Sequence, residues 1–306
     1  MVRLLIFFLF LTFQTCIAQL KQVSITIDDV PNTSLYEEDA FKSKLLDLLD
    51  AMNTPVAIFI NEKNIYQTEF QDKNLEGLTR WLKNKNVIAG NHSYSHINYA
   101  DTTLKGFQQD ILKGEQLTTK IIHQRPRYFR FPYNSLGNDS IAHAGIRQFL
   151  KDQGYIQTPF TVESEDWAYN TLYENALKNH DNNKARQIGE QYVTHTIEMF
   201  QYFETLTRQL YGRAIRHIYL CHDNRLNTDF MAKLLNELRA NGYSFITLKD
   251  ALDDKVYQSH EYYFGRYGFS WIYRWQQNDE KRRQMMRGEP VDEDFQKAYD
   301  QLTNTK

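Results

Sequence analysis

The sequence predicts an α/β protein built as a parallel (β/α) barrel. Short apolar stretches alternate with amphipathic helical patterns along most of the chain, and no repeat, low-complexity run or Gly/Ser linker divides it. Repeated strand–helix units imply a mostly parallel sheet with helices outside, either closed or open. The residues able to do chemistry decide between these. Asp28-Asp29, His92, Arg130, Asp166 and His222 each follow directly on an apolar stretch. In a barrel all such strand ends meet at one rim, whereas an open sheet would spread them apart.

The elements follow in order. Val23 to Ile27 reads as a short buried strand, after which Phe41, Leu45, Leu48, Leu49 and Met52 fall on one helical face. Val56 to Ile60 is the next strand, then helical Leu75, Leu78 and Leu82, then strand Val87 to Ala89. Asp101 can cap a helix running to about His123. Tyr128 to Phe131 reads as a strand, Ser140 to Gln153 as a helix ended by Gly154, and Tyr155 to Val162 as an extended stretch. From Ala168 to Tyr211 the alternation breaks into two successive helices. It resumes with strand His217 to Leu220, helix Asp229 to Ala240 and strand Ser244 to Ile246.

Composition bounds what such a chain does. With 306 residues, 42% apolar and 24% charged, it is neither disordered nor fibrous nor a polytopic membrane protein. A formal net charge of -2 gives no electrostatic case for nucleic acid or an anionic membrane surface. Arg3, the apolar run Leu4 to Phe13 and the small residues up to Ala18 read as a signal peptide over residues 1–18, cut after Ala18. The run is shorter than the roughly 20 residues a spanning helix needs, so no membrane insertion is expected after cleavage. Lipid attachment at Cys16 is the weaker alternative. Export then leaves Cys221 alone, without a disulfide partner, and stability must come from core burial or a metal.

Five constellations carry the chemistry. His92-Ser93-Tyr94-Ser95-His96 places two imidazoles at i and i+4, which on a helical turn face the same way and can share a metal. A polar loop with two unrelated imidazoles reads the same. Asp28 and Asp29 end a strand and point opposite ways, so one can ligate while the other faces substrate; a turn before Pro31 is the plain alternative. Arg130-Phe131-Pro132-Tyr133 offers a guanidinium for a bidentate contact with a carboxylate, and a backbone N–H freed by the proline turn. Asp166-Trp167 leaves the next strand as an acid with an indole, where a helix cap and a core Trp look alike. His222 stands alone after Leu220-Cys221.

Taken in order, Thr26-Ile27-Asp28-Asp29, His92-Ser93-x-x-His96, Arg130-x-Pro132-Tyr133, Ser164-x-Asp166-Trp167 and Leu220-x-His222 resemble the motifs of the polysaccharide deacetylases, the carbohydrate esterase family with the NodB homology domain. The resemblance runs from Val23 to Leu252. It implies a distorted parallel (β/α) barrel over 19–256. A helical insertion before the last motif and an aromatic C-terminal extension, 257–306, lie outside the common core; the clustered rings of the extension are expected to pack on the barrel, with stacking on sugar faces as the alternative. It also implies one divalent metal on Asp29, His92 and His96. Zn²⁺ suits the donors best, and Co²⁺, Ni²⁺ or Mn²⁺ would fit. By the same resemblance Asp28 is the base, held by Arg130; the Tyr133 N–H stabilises the oxyanion; His222, oriented by Asp166, is the acid; Leu220 and Trp167 line the acetyl pocket.

The expected activity is removal of N-acetyl groups from an acetylated glycan by a secreted or periplasmic enzyme. An O-acetyl esterase using the same residues and a glycan-binding protein without turnover are the alternatives. The chain departs from the family pattern in two places. Val30-Pro31 stands where Gly usually follows the paired Asp, and Glu163 stands where the fourth motif usually opens with Asp.

Overall fold

Val56 to Ile60 is an uninterrupted run of apolar residues, as a strand covered on both faces requires. In the computed structural model, which describes residues 20–304, it forms a fully buried strand, β2 (Val56–Ile60). Its neighbours are β1 (Lys21–Val30) and β3 (Val87–Asn91), both parallel to it. The sheet continues through β4 (Tyr128–Phe129) and β5 (Ile156–Gln157) on one side and β6 (Arg216–His222) on the other. The order is β5-β4-β3-β2-β1-β6, and β7 (Tyr243–Phe245) pairs with the first residues of β1. Every pairing is parallel, with Ile25, Ile27, Ile58, Phe59 and Ile218 fully buried.

The sheet curls on itself through the stretch after β5. Tyr128 and Phe129 pair with Ile156 and Gln157, but five residues on Val162 pairs with Tyr219 of β6. Between them lies Pro159, which has no N–H to give a ladder. The chain thus changes partner across Thr158–Thr161, and a distorted barrel results.

Helices cover the outside. They are α1 (Thr33–Glu38), α2 (Lys44–Ala51), α3 (Gln71–Lys83), α4 (Leu104–Lys113), α5 (Gln116–Ile122) and α6 (Ser140–Asp152), followed by the inserted pair α7 (Asp166–Lys178) and α8 (Asn182–Tyr211). Then come α9 (Arg225–Ala240), α10 (Leu248–Leu252) and, in the extension, α11 (Trp271–Arg274), α12 (Asp279–Met286) and α13 (Glu293–Asn304). The face of α8 turned inward carries Ile188, Tyr192, Phe200 and Phe203, at the spacing of one helical stripe.

Several boundaries differ from those expected. The helix expected from Asp101 starts instead after Thr103, whose hydroxyl accepts the Gly106 N–H, and it breaks at Gly114 into α4 and α5. Gly114 lies against the Ser93–Tyr94 peptide so closely that a methyl there would stand 2.5 Å from Ser93 C. The strand expected over Tyr128 to Phe131 stops at Phe129, because Pro132 opens a 3₁₀ turn. Asn224 caps α9, which starts at Arg225 rather than at Asp229.

In the extension, Trp271, Ile272, Tyr273 and Trp275 are buried, the Trp271 N–H donates to Phe160 O at 3.0 Å, and Ser270 Oγ donates to Thr161 O at 2.8 Å. Tyr262, Phe264 and Tyr267 stay exposed. The proposed leader, residues 1–18 with Cys16, lies outside the described residues. No helix among the described residues is long and apolar enough to cross a membrane.

Candidate active site

The C-terminal strand ends open into a cleft of about 780 Å³ lined by Asp28, Asp29, His92, His96, Tyr133, Trp167, Leu220 and His222. Arg130 and Asp166 are wholly buried beside these residues. All ten residues predicted from the sequence therefore meet at one rim.

Asp28 is 1% exposed, and Arg130 is fully buried against it. Arg130 Nη1 donates to Asp28 Oδ1 at 2.9 Å and to Thr26 Oγ1 at 2.7 Å, while Nε reaches Thr158 O at 3.4 Å. The contact with Asp28 is thus single and not the bidentate one expected, since the guanidinium divides its donors among three acceptors. Its plane also lies over the Phe59 ring at 4.3 Å. Burial lifts the Asp28 carboxyl above its ordinary range, and Arg130, His222 and His96 oppose that rise without cancelling it.

The two histidines do not sit on a helical turn. His92 follows β3 directly, and the chain then loops through left-handed Ser93 (φ 63°) and His96 (φ 57°). Side chains tie this loop down. Asn91 accepts the Ser93 N–H at 2.7 Å, Asn61 Nδ2 donates to His92 O and Ser93 O, and Asp110 takes both the N–H and the hydroxyl of Ser95. Two imidazoles four residues apart face each other here because the loop bends, with ring centroids 5.0 Å apart.

His92 Nδ1 lies 2.8 Å from Arg130 O. A carbonyl only accepts, so Nδ1 carries the hydrogen and Nε2 turns its lone pair into the cleft. Burial and the neighbouring His96 press its pKa down to about 3, which keeps the ring neutral. Asp29, itself left-handed at φ 63°, sets Oδ1 3.3 Å from His96 Nε2 and 3.7 Å from His92 Nε2. That oxygen is buried without a hydrogen bond, and one donor atom from each of the three residues lies within 4.8 Å of the others. Two imidazole nitrogens and a carboxylate are a donor set for a divalent cation of the zinc class, and the unsatisfied oxygen fits that use.

His222 stands across from Asp28 in the β1–β6 register. Its Nδ1 is 2.7 Å from Asp166 Oδ1, and its own N–H donates to Asp166 Oδ2 at 2.8 Å. Asn224 and Asn227 donate to the same Oδ2, at 2.9 and 2.6 Å. Burial alone would lower the His222 pKa, but the charge and hydrogen bond of Asp166, with help from Asp29 and Asp28, lift it to about 10. The imidazolium keeps Nε2 free as a donor.

Tyr133 is left-handed (φ 55°) with an exposed ring 4.7 Å from that of His96, and its N–H meets no acceptor among the described residues. Leu220 is 2% exposed on the cleft floor, whereas Trp167 is 47% exposed and packs edge-on to Tyr299. Cys221 is buried, its thiol on Thr26 O. Where the chain departs from the family pattern, the Val30–Pro31 bond is cis and Glu163 accepts the Glu165 N–H at 2.9 Å.

Several supporting residues escaped the sequence reading. Asn61, Asn91, Asp110, Asn224 and Asn227 act only through hydrogen bonds made after folding. Asn91 and Asn224 flank the two histidine motifs, which is the one signal the sequence offered for them. Gly268 and Arg274, from the extension, left none.

Fold and rim together define a NodB-type α/β barrel. The family described as "Polysaccharide deacetylase" matches residues 18–155. Over that stretch the chain is similar to the polysaccharide deacetylases. It is 24% identical over 161 residues to a peptidoglycan-N-acetylglucosamine deacetylase of Bacillus cereus, a match that spans 52% of this chain and only 52% of that protein. It is also 24% identical over 234 residues to a chitin deacetylase of Colletotrichum lindemuthianum, covering 76% of this chain and 79% of that one. The solved structure of a chitin deacetylase from that fungus superposes with a TM-score of 0.55 at 22% identity, over 78% of this chain and 89% of the other. A CE4 family pseudoenzyme from Bacillus anthracis superposes at 0.52 with 18% identity, over 76% of this chain and 66% of the other. Likeness of this degree carries the fold, so any statement about activity rests on the residues at the rim.

Proposed function

We propose that this protein is a secreted, metal-dependent deacetylase that hydrolyses N-acetyl groups of an acetylated glycan, such as a chitin oligosaccharide, peptidoglycan or an exopolysaccharide, and releases acetate. The observation that carries this reading is the pairing of Asp28 with Arg130 and of His222 with Asp166 on facing strand positions, beside the convergent Asp29, His92 and His96. A binding protein has no use for a held base and a held acid. The names of the relatives support the substrate class, and the leader read over residues 1–18 supports export to where such polymers lie.

Asp29, His92 and His96 would hold the ion, which supplies Lewis acidity for the acetyl carbonyl and for the attacking water. Asp28 takes a proton from that water as its oxygen bonds to the carbonyl carbon; a carboxyl raised by burial is better matched to this task than a free one. The Tyr133 N–H donates to the developing oxyanion. As the carbon–nitrogen bond breaks, His222 Nε2 gives its proton to the amine, and acetate and a free amino sugar result. Leu220 offers an apolar floor for the acetyl methyl, with Trp167 above it at the mouth.

Acetate release measured over a panel of N- and O-acetylated glycans, with added Zn²⁺ and with chelator, tests the proposal. Chelator-sensitive release from N-acetylglucosamine oligomers or peptidoglycan is expected. Release confined to acetylated xylan would make the protein an esterase, and none from any glycan would end the hydrolase reading.

A further inference from the structure

The C-terminal extension reaches back to the rim at Gly268, which itself lines the cleft. A methyl group at this position would stand 2.0 Å from Tyr133 O, 2.6 Å from Asn134 Cβ and 2.9 Å from Tyr133 C. Nothing larger than hydrogen fits there. Gly268 is therefore pressed flat on the peptide that joins Tyr133 to Asn134.

Arg274 holds the same turn from behind. Its Nη1 donates to Asn134 O at 2.9 Å. Arg274 is fully buried, ion-paired through Nε with Glu261, and stacked over the Trp271 ring at 4.3 Å. Glu261 in turn pairs with Arg147 of α6. A guanidinium fixed by Glu261 at Nε and by the Trp271 ring along its face aims Nη1 in one direction.

The turn needs holding. Tyr133 and Asn134 are consecutive non-glycine residues in the left-handed region, at φ 55° and 50°. Such backbone is strained and persists only where its surroundings impose it. Phe131 O and Pro132 O accept the Asn134 and Ser135 N–H groups, which closes the turn but leaves its outer side to the extension.

From these contacts we infer that Gly268 and Arg274 are positioning residues for hydrolysis: the extension clamps the Tyr133–Asn134 peptide so that the Tyr133 N–H keeps its aim into the cleft. This rests on the oxyanion role given above to that N–H. The extension is then a working wall of the active site.

The test is Gly268→Ala in the full chain, with two readouts. Amide hydrogen exchange over residues 131–136, measured on metal-free protein, is expected to rise above wild type. In the zinc-loaded protein kcat is expected to fall roughly 10²-fold, with KM and bound zinc unchanged, as for loss of an oxyanion donor. If Gly268→Ala does not fold, Arg274→Lys keeps the charge beside Glu261 but loses the Nη1 donor to Asn134 O, and the same split between kcat and KM applies. Unchanged exchange and unchanged kcat overturn the inference, and so does a loss in which zinc affinity falls together with kcat. Should wild type release no acetate from any glycan, the hydrolase reading fails, while the exchange result still decides whether the extension holds the turn.

Discussion

Asp28 and His222 are direct partners in the register of two adjacent parallel strands, and each is held by a buried residue of opposite charge, Arg130 for one and Asp166 for the other. Side chains on paired positions of neighbouring strands leave a sheet on the same face. Base and acid are thereby set on one side of the rim by backbone pairing, before any loop contributes.

The acid depends on its partner's charge. Asp166 raises the His222 pKa from 6.5 to about 10, so the imidazole is protonated at neutral pH and gives stability that is full below 6.5 and lost as pH rises through about 10. With Asp166→Asn the pKa falls. The basic limb of kcat against pH should move to lower pH, with zinc content unchanged; a profile that stays in place would separate Asp166 from the proton transfer.

Holding the ion and moving the proton are divided between adjacent residues. Asp28→Asn should retain zinc and lose acetate release, whereas His92→Ala should lose both. Metal analysis alongside an acetate assay reads the difference. Full activity in metal-free wild type would falsify the division itself.

Gly114 bears on the metal loop from below. Its alanine variant must push the Ser93–Tyr94 peptide from a 2.5 Å contact, at a cost of about 1–3 kcal/mol by analogy with overpacked cores. Because His92 and His96 bracket that peptide, zinc affinity should fall more than the melting temperature implies. Isothermal titration with zinc, set beside thermal melts, checks this.

Glu163 has a carboxyl lifted to about 8, by burial first and then by Glu165 and Asp166. Unfolded, it ionises near 4.5, so between roughly 4.5 and 8 the unfolded chain has given up a proton that the folded one keeps, and stability declines as pH rises through that window. Glu163→Gln removes the effect. Its melting temperature relative to wild type should climb from pH 5 to pH 9, and equal shifts at both would count against a buried carboxyl.

Most of the barrel was legible because its strands are short apolar runs and its chemistry sits directly after them. Asp28, Asp29, His92, His96, Arg130, Asp166 and His222 stood out by type and place, and the resemblance joined them into one site. What the residues could not reveal was conformation at the rim. His92 to His96 reads as a helical turn by spacing, yet Asn61, Asn91 and Asp110 bend it into a loop, and those partners come from distant parts of the chain. Arg130 promised a fork to one carboxylate but spends its donors on Thr26 and Thr158 as well. Gly268 gave no warning, since a close approach between segments 135 residues apart has no local pattern.

The change of partner across Thr158–Thr161 gives this barrel a seam. The ladder with β4 ends at the Thr158 N–H and the ladder with β6 begins at the Thr161 N–H. In the gap, Phe160 O and Thr161 O are taken up by Trp271 and Ser270. A segment of the extension thus pins the joint between strands that precede it in the chain. Gly268 and Arg274 of that same segment bear on the Tyr133–Asn134 turn, so one stretch of chain backs both the closure of the barrel and a corner of its rim.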